Sequence, residues 1–546
     1  MSVAAERASA NGGRGRAGER PMACVGAAGP GGGDGGGAMG AEREASPWVS
    51  CALSAGCVVS ASGPGVPWSC SGVALSARPG LVLCHGGALA SRLPRPPPPG
   101  AFVPAARLRL AREPELRVRR GPGPAVPARL LGLLRCPAFA APAARLLRAG
   151  DVRASAPEAA AGLFALVRVG AGAGAGGAAR AVGAPPPRGS PLLVCACPFG
   201  GRRDGLFLNT LSAGVLCNRR GPLLLGDARC LPGAEGGGVW DGRRPGRLVA
   251  LVAAPLHGPD GPLGLALLCA ARPLLRAALR GPGLDGPDAR ALRALLPPAS
   301  PPPGPGLRSP RSPPSPPSPP SPPAWARAVL VDAGSAWGSG LGWGRRLVVT
   351  CRHVVAHGHP VRVKPQRPKG LVIQARVVFA TQDTCPYDVA VLQLEEDLPE
   401  IPEPILADRF HKGEEVNVVG FGVFGQACGP SVTAGILSAV VTVDDEPVML
   451  QTTCAVHRGS SGGPVFSTNS GQLLGIVASN TRDNSTGTTY PHLNFSIPIT
   501  VLQPALREYI RTGDPGSLDR LNRADEQVRR VWRLQKAAAS RPRSRL

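Results

Sequence analysis

Aromatic side chains are scarce in this 546-residue chain: Phe, Trp and Tyr make up 4% of it. A stacking surface for nucleic-acid bases therefore has little to be built from. Lysine is nearly absent, limited to Lys364, Lys369, Lys412 and Lys536, so the net charge of +25 is almost all arginine scattered through Gly/Ala/Pro-rich sequence. That charge alone would suit nucleic acid or an anionic membrane. Zinc-finger spacing and basic helices interleaved with aromatics are both missing, and no nucleic-acid partner is expected. Apolar runs long enough to cross a membrane are also lacking, and Met1 to Arg7 leads into Gly/Arg-rich sequence without the apolar core of a signal peptide. Neither membrane insertion nor ordinary secretion is expected.

The chain is rich instead in Gly (74) and Pro (63), about a quarter of all residues, which excludes a coiled coil or a long helical array. Its 15 cysteines are odd in number and irregular in spacing, as reduced thiols would be. Cys195-Ala196-Cys197 is too close a spacing for a CxxC half-site and reads as strand cysteines. No metal and no cofactor is expected.

Residues 1–45 are too poor in large apolar side chains to repay the entropy of ordering and are expected to be disordered. Residues 297–325 carry Ser-Pro-Pro repeats, an extended polyproline-II linker. Beyond it, short Val/Ile/Leu runs punctuated by Gly, Pro and Asp predict strands at Leu347–Thr350, Val372–Ala375, Val389–Leu394, Val416–Gly420, Val448–Thr452, Leu473–Ala478 and Phe495–Ile499. Strands of this length and spacing suit a Greek-key barrel or sandwich. Helices are predicted at Val501–Arg511 and Ser517–Ala539, the latter with Leu521, Val528, Val531 and Leu534 near one face.

Gly459-Ser460-Ser461-Gly462-Gly463-Pro464 carries the sharpest chemical signal. Small residues around Ser461 let the backbone turn tightly, expose the hydroxyl and aim the amides of Gly459 and Ser461 at one point, as an oxyanion hole requires. His353 follows an apolar strand and Asp388 heads another, which gives the order His, Asp, Ser with spacings of 35 and 73 residues. That order, in one strand-rich block, is what a base, its orienting carboxylate and a nucleophile would need.

Through Leu347 to His353, Tyr387 to Leu394, Gly459 to Val465 and Leu493 to Pro498, the sequence resembles the trypsin-like serine proteases, and within them the HtrA/Deg-like group. The resemblance spans 326–511 and implies an all-β fold of two six-stranded barrels with the site in the cleft between them. It implies Ser461 as nucleophile, His353 as base and then acid, and Asp388 as the group that orients the imidazole. Ala455 stands six residues before Ser461, so cleavage after Arg or Lys is not expected. With Ala478, Ser479, Asn480 and Asn494 it implies a small neutral pocket for a small or thiol-bearing side chain. A following PDZ domain, usual in the HtrA group, has no room in 512–546. The resemblance also implies a homodimer. A rival reading is a catalytically idle, protease-derived binding module.

The first half lies on the second. Leu81–Ala90 aligns without gaps on Leu347–Ala356, with Gly87 at the base, and Leu163–Val169 matches the Asp388 strand, with Leu163 at the carboxylate. Leu211–Leu216 matches Val432–Leu437, and Gly233–Trp240 matches the serine loop, with Glu235 at Ser461. Leu163 and Glu235 are 72 residues apart, against 73 for Asp388 and Ser461. Residues 46–296 are therefore expected to form an inactive protease-like domain, in which His85 is structural.

The chain ends Ser544-Arg545-Leu546, which resembles the S-K-L signal that the peroxisomal import receptor reads. A trypsin-like protease with that terminus resembles peroxisomal processing proteases of this group. This implies cleavage of imported matrix proteins, fatty-acid β-oxidation enzymes included, commonly after a cysteine. It also implies self-cleavage, with an exposed cysteine before residue 100, such as Cys84, as a candidate.

Overall fold

Runs of alternating or wholly buried Val, Leu and Ala, closed off by Gly and Pro, build four closed circuits of strands in a computed structural model of the chain. It describes residues 47–533 apart from 63–67, 91–92, 94–96, 98–101, 109–113, 122, 150–151, 155–159, 161, 171–176, 200–206, 260, 298–323, 356–359 and 483–488. The expectations for residues 1–45, for the Ser-Pro-Pro repeats and for Ser544 to Leu546 fall outside the described residues.

In the first half, Gly56–Ser62 (β1), Trp68–Ser76 (β2), Leu81–His85 (β3), Glu115–Arg119 (β4), Val126–Arg135 (β5) and Leu163–Val169 (β6) pair in the circuit β1-β2-β3-β6-β5-β4, and β4 returns to β1. Pro191–Ala196 (β7), Thr210–Arg220 (β8), Leu223–Gly226 (β9), Gly238–Asp241 (β10), Arg247–Gly258 (β11) and Gly261–Ala270 (β12) close as β7-β8-β9-β12-β11-β10.

The second half repeats both circuits. Ala328–Asp332 (β13), Trp337–Trp343 (β14), Leu347–Thr350 (β15), Val361–Lys364 (β16), Ile373–Ala380 (β17) and Ala390–Leu394 (β18) form the barrel β13-β14-β15-β18-β17-β16. Glu415–Gly420 (β19), Ser431–Val443 (β20), Glu446–Thr452 (β21), Pro464–Ser467 (β22), Leu473–Arg482 (β23) and Thr489–Pro498 (β24) form the barrel β19-β20-β21-β24-β23-β22. Each of the twelve circuit strands of the first half has its counterpart in the same place in a circuit of the second, while the short strands Phe102–Pro104, Arg153–Ala154 and Ala181–Val182 are additions of the first half. The all-β, double-barrel fold and the degenerate copy before it are both present.

Strand register fixes which residues correspond. Leu83 faces Leu166 across β3 and β6, and Val349 faces Val391 across β15 and β18. Leu83 is the partner of Val349 in the ungapped alignment, so Leu163 takes the position of Asp388. Val239 faces Ala250 where Val465 faces Gly475, which puts Glu235 at Ser461.

All seven predicted strands of the second half lie within or overlap observed ones, and the helix predicted from Val501 spans Ile499–Thr512. β24 ends at Pro498, because Ile499 already starts that helix. The longer helix expected at Ser517–Ala539 is a correction. A 3-10 turn covers Pro515–Asn522 and a separate α-helix covers Glu526–Arg533. The chain breaks at Asp525, whose carboxylate accepts from the Val528 N–H at 2.7 Å and caps the second helix. Leu521, Val528 and Trp532 are buried against the last barrel, while Leu534 lies outside the described residues.

The described cysteines are free thiols, and Cys195 and Cys197 are buried. Cys84 is also buried, facing inward from β3, so the expectation that it is exposed is overturned. No described helix is long and apolar enough to cross a membrane.

The halves touch along β8 and β20. Asp227 joins them: one carboxylate oxygen accepts from Val215 N–H at 2.6 Å and the other from Ala434 N–H at 2.7 Å. The Asn218 amide donates to the Pro430 carbonyl at 3.2 Å, and Arg188 donates to the same carbonyl at 2.6 Å.

Candidate active site

His353 stands on the short helix Arg352–Val355 that follows β15, and Asp388 stands in the turn before β18. Because β15 and β18 are neighbours in the barrel, their ends bring the two side chains together. His353 Nδ1 is hydrogen-bonded to the Asp388 carboxylate, and the His353 backbone N–H donates to the same carboxylate at 3.1 Å. Burial pushes the Asp388 carboxyl up. The His353 hydrogen bond and charge, with the Arg352 guanidinium, outweigh it and leave the group below its ordinary value. Arg352 is itself held by the Thr381 carbonyl at 3.1 Å.

Ser461 lies in the turn between β21 and β22, on the second barrel. Gly459 (φ +87°) and Gly462 (φ +81°) occupy the left-handed region on either side of it. A Cβ on Gly459 would sit 2.4 Å from the Phe421 carbonyl oxygen, and one on Gly462 would sit 2.2 Å from that of Ser339. Only glycine fits either place.

Ser339, wholly buried on β14, fastens the loop to the first barrel. Its N–H donates to the Ser461 carbonyl at 2.8 Å, and its hydroxyl donates to the Gly459 carbonyl at 2.6 Å while accepting from Phe421 N–H at 2.7 Å. The Thr350 hydroxyl donates to the Ser339 carbonyl at 2.7 Å. With their carbonyls turned inward in this way, the N–H groups of Gly459 and Ser461 donate no hydrogen bond among the described residues. Sequence reasoning missed Ser339. Its signal was the Gly338-Ser339-Gly340 run inside an apolar segment, which reads more readily as a turn.

The expected pocket residues fall into two groups. Ala455 is buried, and it packs with Phe424 into an apolar cluster whose other members come from the first half. Ala478 on β23 and Asn494 on β24 are buried as well, and Ser479 is half-buried beside them. Both amide atoms of Asn494 are engaged, accepting from the Thr452 hydroxyl at 2.7 Å and donating to the Cys454 carbonyl at 2.8 Å, so it braces the wall of β21 and β24. Asn480 pairs with Asn494 in the ladder of β23 and β24.

The same loop exists in the first half without its chemistry. Ser71 donates through its hydroxyl to the Gly233 carbonyl at 2.6 Å and accepts from Cys197 N–H at 2.7 Å, and its N–H donates to the Glu235 carbonyl at 3.0 Å. Gly233 (φ +91°) and Gly236 (φ +88°) repeat the two left-handed turns. The Glu235 carboxylate accepts from the Gly233 N–H at 2.8 Å, so the amide matching Gly459 is taken up by the chain's own side chain. At the base position, a Cβ on Gly87 would sit 2.6 Å from the ring of His85, which is buried edge-on against Phe164. His85 is a packing residue there.

Over residues 337–476 the sequence matches the family of trypsin-like peptidase domains. It is 50% identical over 569 residues to the Peroxisomal leader peptide-processing protease of Homo sapiens, covering 91% of this chain and 99% of that one. The protein of the same name from Mus musculus is also 50% identical, over 92% of this chain and 100% of that one. The Serine protease Do-like HtrA of Lactobacillus helveticus is 28% identical over 31% of this chain and 41% of its own.

Proposed function

Since the chain belongs to the family of peroxisomal leader peptide-processing proteases and is a serine endopeptidase of the peroxisome, we propose that His353, Asp388 and Ser461 are its catalytic residues. The observation that carries this reading is the His353–Asp388 pair, which fixes the imidazole with Nδ1 engaged and leaves Nε2 for the serine.

Ser461 Oγ attacks the scissile carbonyl carbon while His353 Nε2 takes its proton. The oxyanion that forms is held by the N–H groups of Gly459 and Ser461. The tetrahedral adduct collapses as His353 returns the proton to the leaving amine, and the new N-terminus departs. Water then repeats the sequence on the acyl-enzyme, with His353 again as base, and frees Ser461. Asp388 keeps its charge throughout and stabilises the imidazolium.

The leader is cut from peroxisomal matrix proteins, and the pocket built around Ala455, Ala478, Ser479, Asn480 and Asn494 accepts a small or thiol-bearing side chain. Ser544-Arg545-Leu546 is read by the import receptor, and the working enzyme is a homodimer that also cleaves itself. Fluorophosphonate labelling of the full chain beside Ser461→Ala, read by intact mass, tests the nucleophile. Labelling lost in the variant supports the reading, whereas a labelled variant sinks it.

A further inference from the structure

We propose that the degenerate half holds the serine loop of the catalytic half in its working shape, with His457 as the positioning residue and the Leu263 carbonyl as its anchor. This rests on Ser461 being the nucleophile.

His457 belongs to the serine loop by its backbone. Its carbonyl accepts from Ser460 N–H at 2.9 Å, and its N–H donates to the Ser460 hydroxyl at 3.3 Å, so where His457 sits decides how the loop up to Ser461 is turned. Its ring belongs to the other half. Nε2 lies 2.6 Å from the carbonyl oxygen of Leu263 on β12. A carbonyl only accepts, so Nε2 carries the hydrogen and donates it to Leu263. Burial lowers the ring's pKa to about 4.

Apolar contact extends the hold. Leu225 and Leu265 of the degenerate half line a small cavity behind the loop together with Phe424, Ala455 and Ser460. A loop with glycines in left-handed turns on both sides of the nucleophile has little stiffness of its own. A fastening from outside restricts it where the oxyanion donors must be placed.

The hold runs one way. Leu231 occupies the position of His457 in the degenerate half, since the Ala234 N–H donates to its carbonyl at 3.0 Å as that of Ser460 does to His457. The side chain of Leu231 is exposed, so the idle loop lacks the brace that the working loop has.

The test uses the full chain with His457→Leu, His457→Gln and Gly264→Ala. Gly264 has φ +64°, and a Cβ there would sit 2.2 Å from His492 Nε2, so the alanine strains the turn next to Leu263 and crowds a ring of the catalytic half without touching the triad. Acylation is followed by fluorophosphonate labelling rate and by the burst of a p-nitrophenyl ester, with melting temperature recorded for each variant. His457→Leu and Gly264→Ala should acylate about tenfold to a hundredfold more slowly, as misplacement of a catalytic group by about an ångström would cause, with KM for the ester little changed. His457→Gln, whose amide N–H can reach the same carbonyl, should recover most of that rate.

Wild-type acylation by His457→Leu or by Gly264→Ala, or a Gln variant as slow as the Leu variant, would overturn the proposal. Should His457→Leu fail to fold, Gly264→Ala and the Gln variant still decide. Label retained by Ser461→Ala in the same series would point to failure of the nucleophile assignment instead.

Discussion

The two halves keep the same loop and differ in what it presents. Ser71 and Ser339 make matching bonds within a few tenths of an ångström of each other, and both loops turn on paired left-handed glycines. One frame carries His353, Asp388 and Ser461, while the other carries Gly87, Leu163 and Glu235. The difference teaches that this network of hydrogen bonds is part of how the barrels close on each other, independent of any chemistry. On the proposed assignment, reactivity is then a matter of three side chains and of one amide left for substrate, as at Gly459, or filled from within, as Glu235 fills Gly233.

The comparison breaks most sharply at the serine position. Ser461→Ala should lower turnover by about a million-fold, judged by peptide cleavage, while the far-ultraviolet spectrum stays that of the wild type. Glu235→Ser should gain no fluorophosphonate label: the imidazole near it, that of His85, is buried edge-on against Phe164 two residues from the base position, and Leu163 stands where the carboxylate would be. Next in size, Asp388→Asn should cost about 10⁴ in kcat by leaving the imidazole in the wrong tautomer, whereas Leu163→Asn should leave kcat alone and lower the melting temperature by burying an amide.

A third contrast is read by pH. His457 is held near 4, below its ordinary value of 6.5, so the unfolded chain binds the extra proton between those values. Stability should fall as pH is lowered from 6.5 through 4, by about 3 kcal/mol for this one group. Asp227 runs the other way. Burial raises it to about 6, so its cost is present above that pH and is relieved as the pH falls towards 3.8. The two partly cancel in the wild type, and the informative quantity is the denaturation midpoint of the wild type minus that of His457→Gln. That difference should shrink or reverse on acidification.

The smallest effect sharpens the comparison best. Ser339→Ala and Ser71→Ala remove equivalent hydroxyls and should each cost about 1–3 kcal/mol in urea denaturation. Only Ser339→Ala should also slow acylation. Equal slowing by both would mean that the two loops are coupled more tightly than their separate frames suggest.

Much of the site was legible because it is local. His353 follows a strand, Asp388 precedes one, and the glycines around Ser461 mark a turn that needs no other information. The degenerate copy was legible through spacing, and strand register agrees with it residue by residue. What sequence could not convey is long-range. Ser339 reaches a loop 120 residues away and His457 a carbonyl 194 residues away, and neither sits in a pattern that would set it apart. The misread helix after Ser517 has a different cause: apolar residues spaced at helical intervals look the same whether or not Asp525 interrupts the chain to cap a new start. Cys84 was misjudged because β3 is buried along its whole length, on both faces, which the residue type of one cysteine does not announce.

The contact of β8 with β20 has a further consequence. Equivalent segments of the two halves meet there, Leu211 to Gly214 and Ala434 to Gly435 lining one cavity, so one polypeptide supplies both sides of the seam. A tethered partner is present at an effective concentration on the order of millimolar however dilute the enzyme becomes. A few hydrogen bonds from Asp227, Asn218 and Arg188 can therefore hold an arrangement that separate chains would have to secure with a large buried area. A single cut between the halves would leave every one of these contacts in place and make their persistence depend on dilution.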